Sequence, residues 1–407
     1  MKTADVLIIG GGIVGTAIAA ALAEKVKGIV LIEKEGIAAQ ASGSNYGMAW
    51  IQPRTPGFEV RTASRSIEIY DDLVANHFDL DIEYEKVGGL TVGFSPAQKK
   101  AIKWYCDNKK KAGIPVKMID GKEVAEMEPN LSPDITSAVY CKEDTQLNPY
   151  VTTMAFAGLA KRRGAEIISG VEAYKINIKN GKVYSVETTG GVIETQSVII
   201  ANSYMSRQLA LTAELEVPIF PQRLQSLVTE PMDKLLTRII QGARELSDKD
   251  AEEHPEYALE YDYAISGTTE EDLPKMEVER TIFAFLKPTV SGTIVLGTTS
   301  EFVGRDRRVT PRGLSGIMKE TLKICPALST SKIIRAWAAL IPYTFDSKPI
   351  LGKVPEISGL FMAAGHPHAC SHAPAVGEVF VELFTKENSM CELSKFILEE
   401  TSITRFY

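Results

Sequence analysis

Residues 6–33 place the tightest constraint on how this chain folds. Val6-Leu7-Ile8-Ile9 is a continuous apolar run of strand length, and it breaks at Gly10-Gly11-Gly12-Ile13-Val14-Gly15 into an Ala-rich stretch over residues 16–24. A second β-rich run, Gly28-Ile29-Val30-Leu31-Ile32, follows and ends on Glu33. Strand, glycine turn, helix and strand in this register predict a βαβ unit of about thirty residues. Gly10 makes the turn, Gly12 lets a pyrophosphate approach the backbone, and Gly15 lets the helix pack on the strand. The pyrophosphate is expected at the helix N-terminus, where free N–H groups and the macrodipole favour negative charge. Glu33 is placed to accept hydrogen bonds from ribose hydroxyls, and its charge disfavours a 2′-phosphate. A lone GxGxxG is a weak signal; the complete register carries the reading. It does not separate NAD from FAD.

At 407 residues the chain exceeds one ordinary domain, so two domains are expected. Hydrophobic residues at 44% and charged residues at 24% exclude a disordered, collagen-like or disulfide-dense chain. Forty-five basic against 52 acidic residues leave a net charge of −7, which gives no global attraction to nucleic acid. The five cysteines, Cys106, Cys141, Cys325, Cys370 and Cys391, form no Cys-x-x-Cys pair, and an odd number cannot all be bridged internally, so a reducing cytoplasm is expected. The apolar stretch over residues 6–23 is interrupted by four glycines and reads as neither a membrane span nor a signal peptide.

The residues after the second strand are more specific. Ile32-Glu33-Lys34, followed by Ala41-Ser42-Gly43-Ser44-Asn45-Tyr46-Gly47, resembles the second cofactor segment of the FAD-dependent D-amino acid oxidase superfamily, which includes glycine oxidase, sarcosine oxidase and flavin subunits of proline and opine dehydrogenases. A Gly/Ser-rich surface loop is the other reading of that segment. The resemblance implies that Gly10, Gly12, Ile13, Val14, Gly15, Glu33, Lys34, Ala41, Ser42, Asn45 and Gly47 hold FAD.

Later segments resemble the same family in the same order. Asp144-Thr145-Gln146-Leu147-Asn148-Pro149 precedes a helix-like stretch over residues 150–163, and Val171 is similar to the position whose backbone reads the adenine. Val198-Ile199-Ile200-Ala201-Asn202-Ser203-Tyr204 resembles a further cofactor strand, with Asn202 and Ser203 where the family carries small residues or glycine. Residues 335–352 resemble the family's Trp-Ala-Gly-Leu-Arg-Pro segment. Gly359-Leu360-Phe361-Met362-Ala363-Ala364-Gly365-His366 and the residues from Ala373 resemble the strand and helix that close over the flavin, which adds Gly365, His366, Ala369 and Cys370 to the cofactor set. Pro374 suits the first position of that helix.

The departures from the family concern the substrate. Its carboxylate-pairing arginine is replaced by Ile341, so either another cation acts, with Arg223, Lys287 and Arg305 as candidates, or the substrate lacks a carboxylate. Lys287, at the end of an alternating stretch, is a candidate catalytic cation near the flavin; an exposed strand-end lysine is the plain alternative. His366, His368 and His372 cluster around Cys370 as the alternating positions of a mixed-ligand metal site would, but Pro367 interrupts a uniform strand. No metal is assigned, and His366 and His368 are expected at the flavin edge or substrate pocket as catalytic candidates. Sarcosine oxidase relatives carry a cysteine where this chain has Ala339, so non-covalent FAD is expected, with Cys370 left open as an attachment point.

The expected architecture is an α/β fold. A Rossmann-like FAD-binding domain comprises residues 1–50, 142–215 and 335–407, and an inserted mixed-sheet α+β substrate domain comprises residues 51–141 and 216–334. In the substrate domain residues 84–93 read as paired strands, residues 98–111 as a helix, residues 248–255 as a polar loop, and Tyr257, Tyr261 and Tyr263 as a rim or core group. The resemblance implies an FAD-dependent oxidase or dehydrogenase that oxidises the C–N bond of an amino acid or secondary amine by hydride transfer to flavin N5, followed by imine hydrolysis. The alternatives are oxidation of a non-amino-acid substrate such as a hydroxylated one, or a flavin subunit working only in a hetero-oligomeric dehydrogenase. Oxygen, a quinone or a partner protein is the expected electron acceptor, and nucleic acid is not an expected partner.

Overall fold

The computed structural model describes residues 2–244, 248–253 and 282–407. Tyr257, Tyr261 and Tyr263 lie outside them. Among the described residues, the strand–turn–helix–strand unit forms as expected: Val6–Ile9 is buried along its whole length and Ile29–Glu33 pairs with it in parallel. Helix α1 (Ile13–Leu22) runs between them and is buried nearly all round, as a helix covered on several sides must be. Its apolar side chains meet those of helices α4 (Pro149–Arg162) and α5 (Ala369–Thr385) in one core.

These elements cover a six-stranded sheet with the order Ile350–Lys353, Leu360–Ala364, Val198–Ile200, Val6–Ile9, Ile29–Glu33, Glu166–Ser169. Only the Ile350–Lys353 edge is antiparallel. On its other face lies a four-stranded sheet of Lys2–Thr3, Gly191–Glu194, Lys182–Thr188 and Ala173–Lys179. The β-rich insertions build an eight-stranded mixed sheet, from Ile333–Tyr343 and Phe220–Thr229 at one edge to Ser137–Cys141 and Val116–Asp120 at the other, with one parallel pair, Ile239–Gly242 beside Gly89–Gly93. Helix α3 (Pro96–Lys111) closes part of it, started by a Ser95–Gln98 capping box that satisfies two free N–H groups.

Several elements differ from the sequence reading. Residues 335–343, placed there with the cofactor domain, belong to the Ile333–Tyr343 edge strand of the eight-stranded sheet. Residues 84–93 supply one strand, Gly89–Gly93, plus an isolated bridge from Glu85 to Gln146, because the partners of Gly89–Gly93 come from distant segments. Asp248–Glu253 is a short helix rather than a loop. Pro374 lies inside α5, not at its start. A proline there leaves the carbonyl four residues back without its helical donor. That carbonyl, on Cys370, accepts instead from the buried Tyr70 hydroxyl at 3.1 Å, and Ser66 Oγ accepts the Ala375 N–H at 3.3 Å. Both come from helix α2 (Phe58–Asn76), which packs against α5.

Candidate active site

Where the six-stranded sheet ends, the glycine turn opens onto a cavity of about 210 Å³. Gly10 adopts φ +122°, and a Cβ there would stand 2.4 Å from the Ala201 carbonyl oxygen. Gly15 lies directly beneath: its Cβ would fall 2.1 Å from the Gly10 carbonyl oxygen. Glycine is required at both positions by backbone proximity. The Ile13 N–H, one of the free donors of α1, is taken by Ser42 Oγ at 2.9 Å, which ties the second segment to the helix start.

Most residues singled out for the cofactor line this cavity. Gly10, Gly12, Ile13 and Val14 form one wall, and Glu33, Lys34, Ala41, Ser42 and Asn45 continue it. Val171, Ala201 and Asn202 lie on the far side, and Gly365, His366, Ala369 and Cys370 at the end nearest α5. Two do not line it: Gly15 works from below, and the Gly47 carbonyl accepts the Leu147 N–H while its own N–H donates to Asn45 Oδ1 at 2.8 Å. Glu33 is partly committed, accepting from the Gly11 and Glu35 N–H groups at 2.7 and 2.9 Å, although a carboxylate keeps further lone pairs. The Val171 N–H donates to the Glu33 carbonyl at 3.0 Å, so backbone contact with a ligand falls to the Val171 carbonyl.

A second cavity, of about 90 Å³, shares Ala41, Asn45, Ile341, Pro367 and Cys370 with the first. Tyr46, Trp50 and Phe285 give it an aromatic wall, with Trp50 and Phe285 edge to face at 5.6 Å. Burial pushes the Tyr46 phenol up to about 12, so it stays protonated on Ser226 Oγ at 2.8 Å. The apolar Ile341 stands at the junction of the two cavities.

None of the three cations expected to replace the missing arginine reaches this chamber. Arg223 is forked on Glu301 at 2.8 and 3.1 Å beneath the sheet. Arg305 bonds Gln208 at the surface. Lys287, proposed on sequence as catalytic, sits behind the wall: its Nζ donates to the Leu147 carbonyl at 3.0 Å, and burial pulls it down to about 8.

Among the described residues, the cation that lines the chamber is Arg54, which the sequence reading did not single out. It is 5% exposed. Its Nε donates to the Trp50 carbonyl at 3.4 Å, its Nη1 is 3.9 Å from Glu59 Oε1, and its terminal nitrogens hydrogen-bond no atom of the described residues. The segment that carries it is held from every side. Asp144 Oδ1 accepts the Ile51 and Gln52 N–H groups at 2.8 and 3.0 Å, the Tyr105 hydroxyl donates to the Gln52 carbonyl, and the buried Lys109 ammonium donates to the Arg54 carbonyl. The sequence signal was the turn Pro53-Arg54-Thr55-Pro56-Gly57, directly after the second cofactor segment.

The histidines are brought together by the turn into α5. His366 lines the first cavity; burial pulls it down to about 3, and neither ring nitrogen has a partner among the described residues. His368 lines the second, with Nδ1 2.8 Å from Glu59 Oε1. His372 lies between them, its ring 6.4 Å from His366 and 6.2 Å from His368, and burial holds it well below the ordinary imidazole range. Burial also pushes the Glu59 carboxyl up, but His368 and Arg54 outweigh that and hold it below the usual range. Cys370 touches both cavities as a protonated thiol, pushed up to about 12 by burial. Among the described residues no three His, Cys, Asp or Glu side chains converge to hold a metal ion, and no helix is long and apolar enough to cross a membrane.

Comparison with known proteins gives a consistent result. The FAD dependent oxidoreductase family termed DAO matches residues 5–383. A glycine oxidase from Bacillus subtilis is 26% identical over 389 residues, covering 93% of this chain and 92% of its own. Among solved structures, L-proline dehydrogenase from P. horikoshii superposes with a TM-score of 0.83 at 26% identity, over 100% of this chain and 98% of its own. A glycine oxidase from Bacillus cereus does so with a TM-score of 0.80 at 26% identity, over 97% of each.

Proposed function

Because this chain belongs to the DAO family of FAD dependent oxidoreductases, we propose that it oxidises the C–N bond of an amino acid whose carboxylate is held by Arg54. The residues fit FAD. The Gly10 turn and the α1 N-terminus suit a diphosphate, Glu33 suits a ribose, and the two orphaned nitrogens of buried His366 call for a polar ligand in the first cavity. When bound, FAD supplies the two-electron acceptor. Cys370, kept as a thiol, supports non-covalent binding. The two large sheets support a division into an FAD domain and a substrate domain along the lines read from sequence, with the boundary moved past Tyr343.

The observation that carries the substrate reading is Arg54, a buried guanidinium on the chamber wall with donors to spare. A planar fork of this kind pairs bidentately with a carboxylate. Relatives named for glycine and proline oxidation favour an amino acid over a hydroxylated substrate. Tyr46, Trp50 and Phe285 exclude water around the bound ligand, which strengthens the Arg54 pair. Ile341 leaves the family's own anchor position apolar, so Arg54 takes over from a different segment.

The test is anaerobic titration of the holoenzyme with a panel of D-, L- and N-methyl amino acids while the flavin absorbance is followed. Bleaching by an amino acid is expected, and bleaching by hydroxy acids alone would overturn the reading. Arg54→Ala should weaken binding of acetate, a carboxylate probe, by about 30- to 4000-fold, the equivalent of the roughly 2–5 kcal/mol lost when one partner of a buried charged pair is removed. Readmitting air separates oxygen from a partner protein or quinone as the electron acceptor.

A further inference from the structure

The aromatic wall of the second cavity is built on a strand rather than a loop. Phe285 opens the strand Phe285–Pro288, which runs inside the eight-stranded sheet between Ile239–Gly242 and Ile294–Gly297. Its backbone is paired on both sides, with Gln241 on one and Gly297 on the other. Its ring meets Trp50 edge to face at 5.6 Å, Tyr46 at 6.1 Å and Phe283 in a stack at 5.8 Å. Tyr46 is fixed in turn: its hydroxyl takes the space that a Cβ on Gly297 would need, and it shares a hydrogen bond with Ser226 Oγ at 2.8 Å. Interiors are close-packed, so a ring held by a paired strand and three aromatic neighbours moves aside only by displacing them. Ile341 and Cys370, which both cavities share, mark the end that meets the cofactor site, whereas Phe285 lines the second cavity alone.

We propose that Phe285 sets the reach of the substrate side chain and makes the site selective for amino acids with short apolar side chains. The inference rests on the amino acid reading above and concerns the part of the substrate beyond the carboxylate. With the carboxylate on Arg54 and the reacting C–N bond toward the first cavity, the side chain takes the space under Tyr46, Trp50 and Phe285. That space is small. The cavity holds about 90 Å³, against about 150 Å³ for a protein cavity that binds benzene, so a methyl group fits and a phenyl ring does not. An apolar wall rewards what does fit, at about fourfold in affinity for each methylene buried. Phe285 touches no reacting atom; its role is to decide which side chains are admitted.

The probes are carboxylates without an amine, which occupy the Arg54 site and have no C–N bond to oxidise. Acetate, propionate and phenylacetate are titrated into the oxidised, FAD-loaded enzyme while the flavin absorbance is followed. Propionate should bind about fourfold more tightly than acetate, and phenylacetate at least about tenfold more weakly than propionate. Phe285→Ala removes the ring and should raise the affinity for phenylacetate relative to acetate at least about tenfold. Ala339→Val works in the opposite direction and leaves the aromatic packing in place, so it serves even where Phe285→Ala fails to fold. Ala339 is a buried residue of the Ile333–Tyr343 strand on the cavity wall, and its two added methyl groups should abolish the advantage of propionate over acetate. Phenylacetate bound by the wild type as tightly as propionate overturns the proposal. So does a folded Phe285→Ala protein with an unchanged ratio of phenylacetate to acetate affinity, or a propionate advantage that survives Ala339→Val. Each of these results leaves the Arg54 anchor standing. Acetate binding as tightly to Arg54→Ala as to the wild type overturns the anchor, and the selection with it.

Discussion

Alanine at Gly15 adds one methyl group where backbone already fills the space. The new Cβ would lie 2.1 Å from the Gly10 carbonyl oxygen, against 3.4 Å for ordinary contact, so α1 and the turn must separate by about 1.3 Å. No flexible side chain is there to give way. Overpacking of this kind costs about 3 kcal/mol, the upper part of the usual range, because the obstacle is a main-chain carbonyl. With 407 residues unfolding together, that lowers Tm by about 3–4 °C. The same displacement draws the α1 N-terminus away from its anion site; loss of one charge-assisted hydrogen bond, about 1.5–3 kcal/mol, weakens FAD binding roughly 10- to 100-fold. Gly158→Ala is the control. It lies inside α4, its Cβ would meet only the Arg162 guanidinium at 3.7 Å, and alanine should stabilise by about 0.5–1 kcal/mol. Thermal unfolding of both apoproteins and fluorescence titration with FAD measure these effects. A Gly15→Ala protein with unchanged Tm and FAD affinity within a factor of two would refute the argument that Gly15 sets the turn.

Two further predictions concern groups around the chamber. Asp144 is buried and pushed up to about 6 by desolvation, so the folded state holds its proton more tightly than the unfolded chain does and wild-type stability falls as pH rises from about 4 to about 6. Asp144→Asn keeps an oxygen for the Ile51 and Gln52 N–H groups. Its urea-measured stability should match the wild type near pH 4 and exceed it by about 3 kcal/mol at pH 7; a difference that shrinks with pH contradicts the assignment. Tyr70→Phe leaves the Cys370 carbonyl, orphaned by Pro374, without its donor, and should cost about 1–3 kcal/mol in denaturant unfolding, whereas Tyr84→Phe, at a partly exposed hydroxyl, should cost less than half as much.

What the sequence determined by itself is the part whose physics is local. Val6–Ile9, the Gly10–Gly15 turn, α1 and Ile29–Glu33 were legible because an apolar run, a glycine turn and a helical Ala-rich stretch each announce their conformation within a few residues. The lining of the first cavity followed, since Ser42 and Asn45 continue directly from Glu33. The composition of the second cavity was not legible. Glu59 meets His368 across 309 positions of chain only because α2 packs on α5, and that contact depends on Tyr70 and Ser66 bonding backbone groups around a proline inside the helix. Arg223 and Lys287 were reasonable anchors by residue type, but strand pleating sent one to Glu301 and the other to the Leu147 carbonyl, behind the wall. A charged side chain carries no local signal of its partner. Which cation lines the chamber was decided only when desolvation had committed Arg223 and Lys287 to buried partners of their own.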